Sequence, residues 1–330
     1  TAPGSRLLLC PSRLHGRRRL PVEKPERQAR VHGEGGVHPA LFGGAQGVLQ
    51  ADAGNLRGRL RHGAAGGPGC GMIARLIAAV LFLSAAGLRG APLAHAHNDY
   101  EHPRPLLDAL ARGFGSVEAD IWLVDGELLV AHDRKDVRPG RTLQSLYLDP
   151  LRERVRANGG RVQPGLDGFT LLVDVKSAAG PTYAALHAVL AGYAELLTEF
   201  RGGTRTPRAM TVIVSGNRDE AALRAQAVRF AAMDGRKAHL DSDAPAELIP
   251  WISENWRTFS TWNWSGPMPA EVRTALGEWV AKARARGRRL RFWNVPDSPA
   301  AWTQLADAGV DVIGADRLDA LQAFLAGRAP

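Results

Sequence analysis

Short apolar runs rich in β-branched residues alternate with stretches of helical periodicity from about residue 94 to the end of this chain. The runs are "SVEADIWLV" (116–124), "GELLVAHD" (126–133), "FTLLVDVKS" (169–177), "AMTVIVSG" (209–216), "RLRFWNVP" (289–296) and "VDVIGAD" (310–316). Amphipathic stretches fall at 104–113, 181–200, 218–231, 269–286, 298–308 and 317–327. Parallel strands can be joined only by crossovers long enough to hold a helix, so this alternation predicts a parallel sheet covered by helices. About eight such units in one domain over 95–330 fit a (β/α)8 barrel of the TIM type, for which roughly 250 residues is typical. A doubly wound open sheet is the competing α/β architecture, but no Gly-rich nucleotide fingerprint follows the first strand. The alternation is weakest over 234–268, where "WISENWRTFSTWNWSG" carries four tryptophans and reads as a helix, a strand and a loop lining the barrel mouth.

The front of the chain has another character. Residues 1–71 mix Arg-rich and Gly-rich stretches without periodicity, a composition that buries no core; a disordered leader or an over-extended translation is expected there. From Met72 follow Arg75, an apolar run from Leu76 to Leu88, and small residues up to Ala94, the organisation of a signal peptide and shorter than the roughly 20 residues of a membrane span. Export, periplasmic or extracellular, is therefore expected for the domain over 95–330. The formal charge of +9 belongs to the front as well: residues 1–94 hold 13 of the 42 Lys and Arg and 4 of the 33 Asp and Glu, so the remainder is neutral. A nucleic-acid partner is excluded on that ground. Both cysteines, Cys10 and Cys70, precede the domain, which leaves it no thiolate chemistry.

Chemistry-bearing residues gather at the ends of the β-rich runs. Glu118 and Asp120 stand two apart in one strand and share a face. Two carboxylates on one face of a buried strand repel and are costly to desolvate unless a cation or a proton relieves them. Asp174 and Lys176 share a face in "LLVDVKS", and either complete an oxygen-rich cation site or form a simple buried pair. His132 ends "ELLVAHD", and "HAHNDYEH" (95–102) places His95 and His97 at the end of a first strand. Barrel enzymes build their sites at C-terminal strand ends, and two histidines, three carboxylates and a lysine there equip a site for metal-assisted phosphoryl chemistry.

The ordered motifs "AHNDYEHPRPLLDALARGFGSVEADIWLVDGELLVAHD", "LLVDVKS", "VSGNR", "RFWNVPD" and "GVDVIGAD" resemble the glycerophosphodiester phosphodiesterase and phosphatidylinositol-specific phospholipase C-like superfamily, and within it the branch named for altered inheritance of mitochondria protein 6. The resemblance spans 94–327. It implies a barrel, a catalytic pair at His97 and His132, and a divalent cation, Mg2+ or Ca2+, on Glu118, Asp120 and Asp174. Lys176 would steady the phosphate, Trp293 would wall the pocket, and Asp316 would match the acidic residue closing the last strand. His95 is the rival for the catalytic role; the alignment favours His97.

Three departures bear on the substrate. Asn98 follows the first histidine where glycerophosphodiesterases carry Arg, "YEHPRPL" replaces their Pro-Glu-Asn element, and Asp174 stands where they usually carry Glu, as in the sphingomyelinase D-like toxins. Arg218 in "VSGNR" either replaces the missing guanidinium or sits in a turn that Ser215, Gly216 and Asn217 make. His102, His187 and His239 read as ordinary helix or surface residues. The expectation is a metal-dependent phosphoric diester hydrolase acting as a monomer on a small-molecule or lipid-derived phosphodiester, with transient contact to a membrane surface. The alternative is a catalytically inactive barrel that binds phosphate ligands or serves as a scaffold.

Overall fold

The computed structural model describes residues 91–328. The expected leader and nearly all of the expected signal segment lie outside the described residues. Among the described residues no helix is long and apolar enough to cross a membrane.

Eight parallel strands close into a barrel: β1 (Leu93–Ala96), β2 (Ser116–Val124), β3 (Phe169–Val175), β4 (Met210–Gly216), β5 (Ala231–Gly235), β6 (Trp251–Asn255), β7 (Arg289–Trp293) and β8 (Val312–Ala315). Closure comes from β1, which pairs with β8 from Leu93↔Val312 to Ala96↔Ala315 and with β2 at His95↔Ser116 and Ala96↔Val117. The barrel thus takes in Leu93 and Ala94, ahead of the boundary expected at His95.

Side chains alternate between two separate cores. Leu172, Ile213, Ala232, Trp251 and Val312 fill the barrel interior, with Phe200 joining them from a small antiparallel sheet. The intervening residues, such as Val117, Ala119, Leu171, Val173 and Val212, pack outward with the helices. This period-2 pattern leaves an apolar plug in the middle of the barrel and raises the inward-facing polar residues toward its C-terminal mouth.

Two expectations need correction. "GELLVAHD" is not a barrel strand: Glu127–Val130 pairs antiparallel with β2, because Asp125 and Gly126 both adopt positive φ (49° and 85°) in a two-residue turn. Such a turn permits only a hairpin. The helix expected over 218–231 ends far earlier, at Glu220–Ala225, and Ala231–Gly235 is β5. All five residues of β5 are buried, so its sequence lacks the polar alternation that would separate a strand from a helix end. Of the other expected helices, Ala270–Ala285, Pro299–Ala308 and Leu318–Ala326 fall near their places, the one expected over 181–200 ends early as Ala179–Ala191, and 104–113 yields only Leu107–Leu110; Asp149–Ala157 is a helix that was not expected. The tryptophan-rich segment supplies β6, the short helix Trp256–Phe259 and a loop whose Trp262 meets Trp256 edge to face and whose Trp264 packs against it at a tilt.

The loop after β1 is pinned by Asp99, fully buried, whose Oδ2 accepts from the Leu106 amide at 2.6 Å and the Tyr147 hydroxyl at 3.0 Å. Leu106 needs the anchor, since its φ of 64° is costly for a branched residue. Burial raises the Asp99 carboxyl from 3.8 to about 6 against those two hydrogen bonds. Its folded value lies above its unfolded one, so its stabilising contribution is complete below the unfolded value and is lost as pH rises through the folded one, a change on the order of 3 kcal/mol. Urea unfolding from pH 3.5 to 7 should show this loss, and Asp99→Asn should flatten it; an unchanged slope in the variant would contradict the assignment.

Candidate functional site

The interior positions at the strand ends converge on one cavity of about 540 Å³, bordered among others by His97, Glu118, His132, Asp174, Lys176 and Arg291. Its acidic centre follows from register. Asp120 on β2 stands directly beside Asp174 on β3, and Glu118 sits one inward-facing position deeper. Ligand oxygens of these three carboxylates lie within 4.8 Å of one another.

Like charges this close need compensation, and the structure distributes it unevenly. Glu118 Oε2 accepts from Arg291 at 2.7 Å and from buried His95 Nε2 at 3.0 Å. Burial alone would raise the Glu118 pKa, but the Arg291 charge and the His95 hydrogen bond hold it well below the usual carboxylate range. Lys176 Nζ lies 3.0 Å from both Asp120 Oδ2 and Asp174 Oδ2. Burial and the Glu118 charge nevertheless push Asp120 up to about 6. Asp174 also rises, through burial and Glu118 acting against Lys176. The second oxygens, Asp120 Oδ1 and Asp174 Oδ1, are buried without any hydrogen-bond partner. Unpartnered buried carboxylate oxygens beside a third carboxylate form the all-oxygen donor set of a hard divalent cation, and so these residues fit one.

Each of the two expected histidines leans on a carboxylate through Nδ1. His97, half-buried after β1, has Nδ1 2.7 Å from Asp316 Oδ1. Desolvation lowers the His97 pKa, but the Asp316 hydrogen bond and the Glu118 charge outweigh it, and the net shift is upward. Asp316 is itself held in place, because Asp297 Oδ2 accepts from the amides of Asp316 and Arg317 at 3.1 and 2.7 Å. His132, exposed at the end of the hairpin, has Nδ1 3.1 Å from Asp120 Oδ2. With Nδ1 donating to a carboxylate, Nε2 of each imidazole remains to accept or deliver a proton.

His95 takes a different place. It is wholly buried, with Nδ1 2.9 Å from Ser116 Oγ and Nε2 on Glu118. Burial and Arg291 push its pKa down to about 4, so at neutral pH it is a neutral Nε2–H donor orienting Glu118. Asn98 borders the cavity in a left-handed conformation, and the single proton of the Tyr100 hydroxyl is shared between Asn98 Oδ1 at 2.9 Å and Asp120 Oδ2 at 2.8 Å. Trp293 is exposed at the rim. Asn217 borders the cavity too, but its Nδ2 donates to the carbonyls of Lys176 and Ser177 and fastens a turn. That turn needs Gly216: its φ is 66°, and a Cβ there would lie 1.8 Å from Asp174 Oδ1.

Arg218 does not border this cavity. The guanidiniums that do are Arg291 and Arg236, the latter held by Asp234 at 2.7 Å and Ser215 at 3.1 Å. Asp234 and Arg236 escape a reading of the sequence because β5 is hidden in an apparent helix. Their signal is a carboxylate at the end of a strand-length apolar run, "FAAMDGR", the same pattern that marks Asp174. Tyr100 is missed for want of any local pattern. His102, His187 and His239 stay outside the cavity, His187 stacking on Phe230 and His239 accepting from the Arg236 amide.

The His97–Asp316 contact has a readable consequence. In Asp316→Asn the Nδ1 hydrogen bond loses its charge, and the His97 pKa followed by NMR should move down from the wild-type value; an unmoved titration would rule the contact out.

Residues 90–233 match a family model described as the AIM6-like phosphodiesterase domain. Altered inheritance of mitochondria protein 6 of Eremothecium gossypii is 28% identical over 266 residues, covering 70% of this chain and 68% of that protein. The protein of the same name from Lachancea thermotolerans is 30% identical over 278 residues, covering 69% of this chain and 64% of its own length. The chain therefore spans about two thirds of these curated relatives. Among solved structures, a glycerophosphodiester phosphodiesterase from Parabacteroides distasonis aligns with a TM-score of 0.45 at 18% identity, over 73% of this chain and 100% of that one. A Ca2+-dependent phosphatidylinositol-specific phospholipase C from Streptomyces antibioticus aligns at 0.48 and 15%, over 71% and 95%.

Proposed function

We propose that this chain, whose residues 90–233 match the AIM6-like phosphodiesterase domain, is a working, metal-dependent phosphoric diester hydrolase whose proton transfers are made by His97 and His132. The observation that carries the proposal is the pairing of two histidines, each backed through Nδ1 by a carboxylate, at one cavity with three clustered carboxylates and Lys176.

A phosphodiester is a monoanion that gains charge on its non-bridging oxygens as the nucleophile approaches. Lys176 and Arg291 border the cavity to meet that charge, and Arg291 stands in for the guanidinium missing beside His97. Glu118, Asp120 and Asp174 would hold the divalent cation, Mg2+ or Ca2+, which when bound supplies Lewis-acid charge to the phosphoryl oxygens. One imidazole Nε2 takes the proton of the attacking hydroxyl as its oxygen bonds to phosphorus. The other gives a proton to the leaving oxygen as the second phosphorus–oxygen bond breaks. A water nucleophile yields a phosphomonoester and an alcohol; a hydroxyl of the substrate yields a cyclic phosphate and an alcohol.

Activity on bis(p-nitrophenyl) phosphate and on glycerophosphodiesters, measured with Mg2+, with Ca2+ and with EDTA, tests the proposal. Turnover should need a cation, and His97→Ala should lower kcat by about 10²- to 10⁴-fold with the fold retained. No turnover with any cation, in a folded protein, would instead support the phosphate-binding scaffold.

A further inference from the structure

Arg218 is set apart from the other cations at the barrel mouth. Lys176 is held by Asp120 and Asp174, Arg291 by Glu118, and Arg236 by Asp234. Arg218 has no carboxylate at ion-pair distance among the described residues. Its NH1 reaches the Gly216 carbonyl at 3.3 Å, and its Nε is buried with no hydrogen-bond partner. Burial and the Arg236 charge both push its pKa down, the direction expected of a guanidinium short of compensating charge.

The space beside it is a second cavity of about 550 Å³ that shares Lys176, Gly216 and Asn217 with the reaction cavity. Glu220 is the acid on its wall, and that carboxylate is already engaged, Oε1 by Arg224 at 2.7 Å and Oε2 by His239 at 3.3 Å. Ala178, also on the wall, begins the helix Ala179–Ala191 without a side-chain cap, so the helix dipole adds potential of the same sign. A half-buried guanidinium with idle donors, in a cavity joined to the site across a lysine, is poised for an anion that the protein does not itself supply.

We infer that this side cavity is an anion subsite, taking a second negatively charged group, a phosphomonoester or a carboxylate, on the same substrate whose phosphodiester occupies the reaction cavity. Its link to turnover rests on the phosphodiesterase reading; anion binding at Arg218 does not. Lys176, common to both cavities, would stand between the two anionic groups. The subsite also accounts for an arginine so near the reaction cavity that does not border it.

Two measurements on the full chain test the inference. In the first, kcat/KM is compared for glycerophosphoglycerol, its terminal phosphomonoester and its glycerate analogue at low salt. Wild type should favour at least one charged member by about tenfold, Arg218→Gln should bring the ratio close to one, and Arg218→Lys should keep part of it. The two charged substrates separate phosphate from carboxylate recognition. In the second, glycerol 3-phosphate is titrated calorimetrically into wild type, Arg218→Gln, Arg218→Lys and His97→Ala, with melting curves to certify folding. Saturable binding lost in Arg218→Gln and kept in His97→Ala supports the subsite even if no diester is turned over. Absent binding, equal binding in wild type and Arg218→Gln, or equal selectivity in both, overturns it.

Discussion

Three carboxylates with ligand oxygens within 4.8 Å of one another at the mouth of a closed barrel are the constraint around which the rest is arranged. Charges that close in a poorly solvated site cost several kcal/mol unless they are compensated. Compensation comes from both sides of the barrel. Arg291 reaches Glu118 from β7, His95 reaches it from β1, and Lys176 bridges Asp120 and Asp174 at the end of β3. Arg291 and His95 share Glu118 Oε2, Lys176 takes Oδ2 of both aspartates, and Asp120 Oδ1 and Asp174 Oδ1 are left unpartnered. A cation bound there would give those two buried oxygens the partner they lack.

The barrel makes this placement possible by separating two tasks along its axis. The apolar plug of Leu172, Ile213, Ala232, Trp251 and Val312 closes the middle, so every polar interior residue beyond it faces one end. Strand register then sets the neighbours, with Asp174 beside Asp120 on one side and beside Ser215 on the other. The hairpin after β2 adds what no barrel strand supplies, returning the chain to the mouth so that His132 meets Asp120 from outside the sheet. His97 meets Asp316 across the β1–β8 seam, so one of the two histidine–carboxylate pairs sits where the barrel closes.

Much of this was legible in the sequence, for identifiable reasons. Glu118, Asp120, Asp174 and Lys176 announce themselves because an ionisable residue in a β-branched run breaks the pattern of its own strand. Arg291 and Trp293 could be put on one face by alternation, but the Arg291–Glu118 pair spans 173 residues of sequence and no local pattern predicts it. Asp234 and Arg236 were hidden because β5 is buried throughout and reads as the end of a helix. Arg218 follows a strand as a phosphate-binding residue should, yet Gly216 takes a φ of 66° just before it, and its guanidinium lines the neighbouring cavity. Local patterns thus locate groups that face the mouth, while the closure of the barrel decides which of them meet.

The central claim is that the carboxylate cluster is organised for a divalent cation, and equilibrium binding tests it without reference to any substrate. Calorimetric titration of the metal-free protein with Mg2+ and with Ca2+ should show one saturable site, lost in Glu118→Gln and in Asp174→Asn in protein that melting curves show to be folded. Absence of binding in wild type, or unchanged binding in both variants, would contradict the account.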